Sequence, residues 1–371
     1  MILRRASVLL VALGFALFAF VMAGPRAGLL VLIGLGFGLV LEGMRFGFAG
    51  PWRMIVTDRD GRGLIAQLIA IALVAAVAFP LLAANSTELV PAHAPVGFAM
   101  ILGAFVFGAM MQLVMGCGSG TLVNAGSGNL VGLIALAGFI GGSFAGTLHL
   151  DWWTALGALP VLSLQGMLGP DLGLVATLIG LALVAGLTLA RAAPGKRMPP
   201  RRLWLAAALI AALALANLVI AGQPWGIVYG LGLWGAKIAQ AGGADLGATA
   251  FWAAEANATR LASSILTDVT SLTNIGLLIG AFAVMRWRTD PGAQTQALTA
   301  TSYAAVLAAA LILGYSARLA FGCNVGAFFS GISTGSLHGW VWLLAAFAGS
   351  TLGLRLRPIL LRPTSTQGAY A

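Results

Sequence analysis

Ten predominantly apolar runs, at residues 7–23, 27–43, 64–83, 96–115, 130–148, 172–190, 203–222, 267–285, 303–321 and 337–354, are separated by short polar stretches. A helix rises 1.5 Å per residue, so about 20 apolar residues cross roughly 30 Å of hydrocarbon. Each run is therefore expected to be a spanning helix, and the fold class is an all-α polytopic membrane protein. The first run follows Arg4–Arg5 and resembles a signal peptide. No A-x-A-like site follows it, and we read it as an uncleaved helix.

Composition agrees with that reading. Of 371 residues, 60% are apolar and 8% charged, with a mean hydropathy of +0.98. A soluble domain carries roughly 25% charged residues because its surface faces water, so most of this exterior must face lipid. Two cysteines are too few for a disulfide framework or a Cys-rich zinc site. The net charge of +10 follows from topology. Lys and Arg accumulate on the cytoplasmic side of spanning helices, and sixteen of the twenty fall at Arg4–Arg5, Arg45–Arg62, Arg191–Arg202, Arg286–Arg288 and Arg355–Arg362. The intervening loops 85–95 and 149–171 carry none. Ten spans from a cytoplasmic N-terminus return the C-terminus to the cytoplasm, the arrangement of an inner-membrane protein. No basic face interleaved with aromatics exists for nucleic acid.

Residues 191–202, rich in Pro and charge, form the strongest linker signal. They divide the chain into a first half, 1–190, and a second, 203–371. Each half holds one cysteine in a G-C-x-x-G frame: Gly116-Cys117-Gly118-Ser119-Gly120 and Gly322-Cys323-Asn324-Val325-Gly326. Further on, Gly128–Gly132 matches Gly335–Gly339 after a one-residue slip. With 51 glycines in 371 residues, the shared frame is a rare coincidence by chance, which favours an internal repeat. A weaker pairing sets Gly36–Arg45 against Gly226–Lys237.

The segment 108–129 is uncharged, so it can lie at membrane depth, yet it is too rich in Gly, Ser and Asn for a continuous lipid-facing helix. Irregular backbone at that depth must be buried in protein or line a water-filled cavity. A helix broken there exposes backbone N–H groups at a half-helix N-terminus, a site for an anion. Close packing through small residues also accounts for the glycines, but not for equivalent cysteines in both halves. A buried cysteine is ordinarily a small hydrophobe, and a disulfide joining Cys117 and Cys323 is compatible with the sequence. Zinc would need more ligands than two thiols and the dispersed His93, His149 and His338 provide. Disulfide exchange would normally use a C-x-x-C pair, and none exists. The remaining role is recognition, in which a protonated thiol offers a weak S–H donor to an anion or a soft sulfur.

Charge within the membrane is costly and functional by default. The four cations outside the basic loops are Arg26, Lys237, Arg260 and Arg318. Snorkelling at a helix end is the plain reading of each; the functional reading makes Lys237 and Arg318 attractors of an anion. Phosphate-binding, dinucleotide, esterase and metalloprotease motifs are missing, so an enzyme is not expected and no cofactor or metal is implied.

At these residues the chain resembles the YeeE/YedE sulfur-transport family of bacterial membrane proteins. The likeness lies in Met115–Asn129, Gln223–Gly226 with Leu233–Ile238, Thr267–Gly276 and Arg318–Trp340. It implies pseudo-symmetric halves whose short re-entrant segments meet in an hourglass, and uptake of thiosulfate relayed past thiols, here Cys117 and Cys323. It also implies a cytoplasmic sulfur-carrier protein as partner. Where family members commonly have cysteine in an Arg-Phe-Cys-Phe setting, this chain has Gly47, so sulfite, another sulfur oxyanion or a selenium species stay open as substrates. A membrane thiol-redox protein is a further alternative.

Overall fold

The computed structural model describes residues 2–288 and 298–361, with side chains from residue 10 onward. Arg362 and the side chains of Arg4 and Arg5 lie outside that description. The elements run α1 (Ile2–Ala23), α2 (Pro25–Gly43), α3 (Ala49–Thr57), α4 (Arg62–Ala84), α5 (Phe98–Leu113), α6 (Gly118–Gly126), α7 (Leu130–Thr154), α8 (Leu164–Leu168) and α9 (Pro170–Arg191). After the linker come α10 (Arg201–Ala221), α11 (Val228–Ala241), α12 (Ala250–Ala253), α13 (Glu255–Ala262), α14 (Val269–Trp287), α15 (Ala300–Leu319), a π-helix (Asn324–Gly331) and α16 (Leu337–Leu360).

The chain is all-α and polytopic, as its apolar runs predict. Among the described residues, nine helical stretches are long and apolar enough to cross a membrane, and Leu10–Ala23 of α1 is a shorter apolar one. Each of the ten predicted runs falls in a helix. Leu183 and Leu187 on α9 and Leu344 on α16 stay 65%, 70% and 73% exposed, as a lipid-facing surface requires.

Packing between the halves is reciprocal. α5 packs on α16 as α15 packs on α7; α2 packs on α14 as α10 packs on α4; α3 meets α16 as α11 meets α7. The α5–α16 and α15–α7 contacts are made backbone to backbone. A Cβ on Gly349 would run into the carbonyl oxygen of Phe105, and one on Gly142 into that of Leu311. Likewise Gly108 lies on the Ala346 carbonyl and Gly314 on that of Phe139. Without a hydrophobic drive between helices in lipid, such close approach carries the association. Gly349→Val and Gly142→Val should each lower the melting temperature in detergent, since overpacking costs about 1–3 kcal/mol and a backbone carbonyl has little room to yield. Gly186→Val, which meets nothing within 4 Å, is the control; equal melting of all three would refute this account of the seams.

The reciprocal packing corrects the weaker sequence pairing. Gly36–Arg45 belongs to α2 and its C-terminal turn, whereas Gly226–Lys237 runs through α11, which stands where α3 does.

The two ends of the bundle differ in charge. At one end, Gly61 N donates to Lys196 O and Arg59 Nε to Arg191 O, while Arg288 pairs with Glu42 at 2.9 Å. Arg62, 2.5 Å from Asp60, holds that carboxyl below its usual range by hydrogen bonding. The predicted basic loops Arg45–Arg62, Arg191–Arg202 and Arg286–Arg288 therefore share an end. At the opposite end, Val90 N donates to Gly222 O, Leu159 N to Val96 O and Leu164 N to Gly335 O. The four exceptional cations gather toward this second end: Arg26 donates to the carbonyls of Ile220 and Ala221 and shares a small cavity with Arg260, and Lys237 holds the 261–263 turn.

α3 and α11 are the re-entrant elements, each leaving from and returning to a single end. The cysteines occupy a different feature: they interrupt the long segments α5–α6 and α15–π-helix.

Candidate functional site

Both cysteine turns break their helices in the same way. Met115 (φ 58) and Phe321 (φ 54), two residues ahead of each cysteine, take the left-handed conformation, costly for bulky residues. Gly116 N then donates to Met111 O at 3.1 Å and Gly322 N to Ala317 O at 2.9 Å. Cys117 and Cys323 follow as the N-caps of α6 and the π-helix, and their carbonyls accept from Thr121 N and Ala327 N, both at 2.8 Å. The segments realign at Gly128 (φ 75) and Gly335 (φ 83), where the second path is one residue longer. A π-turn holds one residue more than an α-turn, so the π-helix absorbs the slip seen in the sequence.

The two turns meet. Cys323 Sγ would lie 2.8 Å from a Cβ on Gly118, so the missing side chain of one turn makes room for the thiol of the other. Cys117 Sγ lies 3.3 Å from Ser119 Oγ. Both thiols are free and fully buried, so no disulfide joins them.

A cavity of about 560 Å³ opens from the end without basic loops and reaches the Cys323 turn at Gly322 and Gly326. Ala92–Pro95, Tyr229, Phe251, Arg318 and His338 also line it. Arg318 is 8% exposed; its Nη2 donates to Val228 O at 3.2 Å and Ser143 Oγ at 3.4 Å, and its Nε has no partner. The guanidinium rests 5.7 Å from the Tyr229 ring and 5.3 Å from that of Phe251, and among the described residues no carboxylate lines the cavity. Five residues ahead of the other cysteine stands Gln112, whose Nε2 donates to Ala49 O at 3.4 Å and Ser350 Oγ at 2.8 Å. The two side chains thus make matching bonds, to the first turn of a re-entrant helix and to a serine. Only Arg318 carries charge.

Several buried polar atoms near the cysteine turns have no partner: both side-chain atoms of Asn324, Thr121 Oγ1, Asn274 Oδ1, Trp225 Nε1 and His338 Nδ1. Each costs about 1–3 kcal/mol unsatisfied, a concentration suited to water or a polar solute.

Of the predicted site residues, Gly322, Gly326 and Arg318 line the cavity, and Cys323 and Asn324 lie directly behind it. Gly116, Cys117, Gly118, Ser119 and Gly120 form the facing turn and do not line it. Lys237 is not brought to the cavity, because its ammonium donates to Leu261 O at 2.7 Å and Ser263 O at 2.6 Å. Gln112, Tyr229 and His93 went unpredicted. For Gln112 a signal existed, the equal five-residue offset from each cysteine; for Tyr229 and His93 there was none.

Paired interrupted helices, re-entrant half-helices and a cationic cavity between them define a polytopic α-helical membrane protein with a polar cavity reaching its interior. Consistent with this, a profile of the family described as sulphur transport matches residues 44–352, and the chain belongs to that family, bearing out the YeeE/YedE resemblance. It is similar to the "Probable transporter YedE" of Salmonella typhimurium (strain LT2), 32% identical over 154 residues. Its likeness to the protein of that name in Escherichia coli (strain K12) is 30% over 154 residues. Either alignment covers 41% of this chain and 37% of the relative's length.

Proposed function

We propose that this chain imports a small sulfur-containing anion, thiosulfate in the first place, across the bacterial inner membrane. The observation that carries the reading is the meeting of two free, buried thiols at paired helix starts, directly behind a cavity whose buried arginine has no carboxylate partner. On this reading the basic end and both termini face the cytoplasm, by the distribution of Lys and Arg. The halves 1–190 and 203–371 form a repeat, supported by their reciprocal packing, with 191–202 as the linker between them. A cytoplasmic sulfur-carrier protein would meet the basic end.

The anion enters from the opposite end. Arg318 offsets the loss of its hydration, because charge-assisted donors in a low dielectric are roughly twice as strong as neutral ones. The amides that open α6 and the π-helix take over as the solute passes the turns. Neutral thiols at Cys323 and Cys117 hand it on through weak S–H contacts. Weak contacts suit passage, since a site that binds too tightly does not release its ion. Moving one negative charge inward against 100 mV costs about 2.3 kcal/mol, and a dianion about twice that.

Flux of labelled thiosulfate, sulfite and selenium analogues into liposomes carrying the purified chain tests the reading. Saturable thiosulfate entry is expected. Sealed liposomes that admit none of these solutes would overturn it, and entry of a selenium species or sulfite alone would reassign the substrate, the alternative that Gly47 keeps open.

A further inference from the structure

We propose that His338 is a proton-binding site that couples anion uptake to proton entry, making the chain a proton–anion cotransporter. The inference rests on the transport reading above and supplies what that reading lacks, a cation to offset the anion's charge.

His338 opens α16 and is 1% exposed, at the wall of the cavity that holds Arg318. Its Nε2 lies 3.0 Å from Ala320 O. A carbonyl only accepts, so Nε2 carries the ring hydrogen, and Nδ1 presents a bare lone pair with no partner. A buried nitrogen in that state is a vacant proton site. The Phe321 ring meets the imidazole edge to face, with centroids 6.4 Å apart, and keeps that side dry.

The charged and titratable groups facing His338 are few. Arg318 comes from α15, Tyr229 from α11 and His93 from the loop before α5. α5 and the π-helix, which pack against α16, have no titratable residue; α3, which also packs on it, has Arg53, and that charge lies beside Arg357 of α16, at the opposite end with Arg355. His93 donates Nε2–H to Thr334 O at 2.9 Å, and burial pulls it below the usual histidine value. Among the described residues no carboxylate lines the cavity, and the two imidazoles are the groups of its wall with a nitrogen lone pair to take up a proton.

The sign of the coupling follows from burial. Without an anion the low-polarity surroundings disfavour a positive charge on the ring, so Nδ1 stays bare. An arriving anion, drawn by Arg318, stabilises the imidazolium, so a proton from the entry side forms an N–H bond at Nδ1. When the anion moves on past the cysteine turns that stabilisation is lost, the N–H bond breaks and the proton follows the anion to the inner side. Linkage is reciprocal: whatever factor the anion adds to proton affinity, the proton adds to anion affinity. Each anion then carries in one compensating positive charge, with no oxidation or reduction.

The test uses liposomes of the full chain with a pH dye in the lumen and labelled thiosulfate outside. Adding thiosulfate should acidify the lumen as label enters. An inward gradient of one pH unit should raise accumulation by up to about tenfold per coupled proton. His338→Gln keeps a side-chain N–H donor for Ala320 O but has no proton site. It should elute and melt as the wild type does while losing both the acidification and the gradient response. Wild-type entry of label without acidification, a measurement that needs no variant, overturns the proposal, as does a His338→Gln protein that still acidifies the lumen. Absence of flux under every condition would instead sink the transport reading, and the coupling with it.

Discussion

Replacing Cys323 or Cys117 with Ala is expected to cut thiosulfate uptake at least tenfold while the protein still inserts and elutes as a single species. Each sulfur is fully buried at the start of a half-helix, and Cys323 Sγ occupies the space left by Gly118 of the opposite turn. Losing even one hydrogen bond's worth of transition-state contact, about 1.4 kcal/mol, is a tenfold loss of rate. The cost to folding is smaller than in a Leu→Ala change, because the void is that of one sulfur atom. Ser at either position restores a donor and should recover part of the flux if the thiol acts by donating. The double Ala variant is decisive: full uptake by that protein in liposomes would remove the thiols from the mechanism.

The second large effect is expected at Arg318. Arg318→Gln converts the second half to what the first already has, since Gln112 makes the matching bonds to Ala49 O and Ser350 Oγ. The variant should therefore fold, with its amide reaching Val228 O or Ser143 Oγ. What it loses is the one fixed charge at the cavity wall. Hydrogen bonds to charged groups contribute about 1.5–3 kcal/mol, so the apparent affinity for the anion should weaken roughly 10- to 150-fold. The dependence of uptake on external salt should flatten as well. Unchanged half-saturation in the variant would show that Arg318 serves only to hold α7, α11 and α15 together.

Much of the fold was legible because a bilayer imposes a length and a polarity on whatever crosses it. Runs such as 64–83 and 203–222 admit one interpretation in hydrocarbon, and both are helices here. The shared G-C-x-x-G frames were legible for a related reason: two turns that must break a helix alike use glycine at the same positions. The four cations away from the basic loops stood out as exceptions. Their fates did not, since nothing local separates Lys237, committed to two carbonyls, from Arg318, held at the wall of a cavity.

Chain chemistry alone, then, settled the class of solvent, the placement of the long apolar helices, the grouping of basic loops and the twin cysteine turns, because these are one-dimensional properties of length, charge and local conformation. Folding in three dimensions chose which turns face each other, which histidine nitrogen is left bare and which cation lines the cavity with an unsatisfied donor. Those outcomes depend on partners far off in sequence, such as Gly118 against Cys323 and Ser143 against Arg318. Burial assigns each polar atom a partner or denies it one only after distant segments have packed.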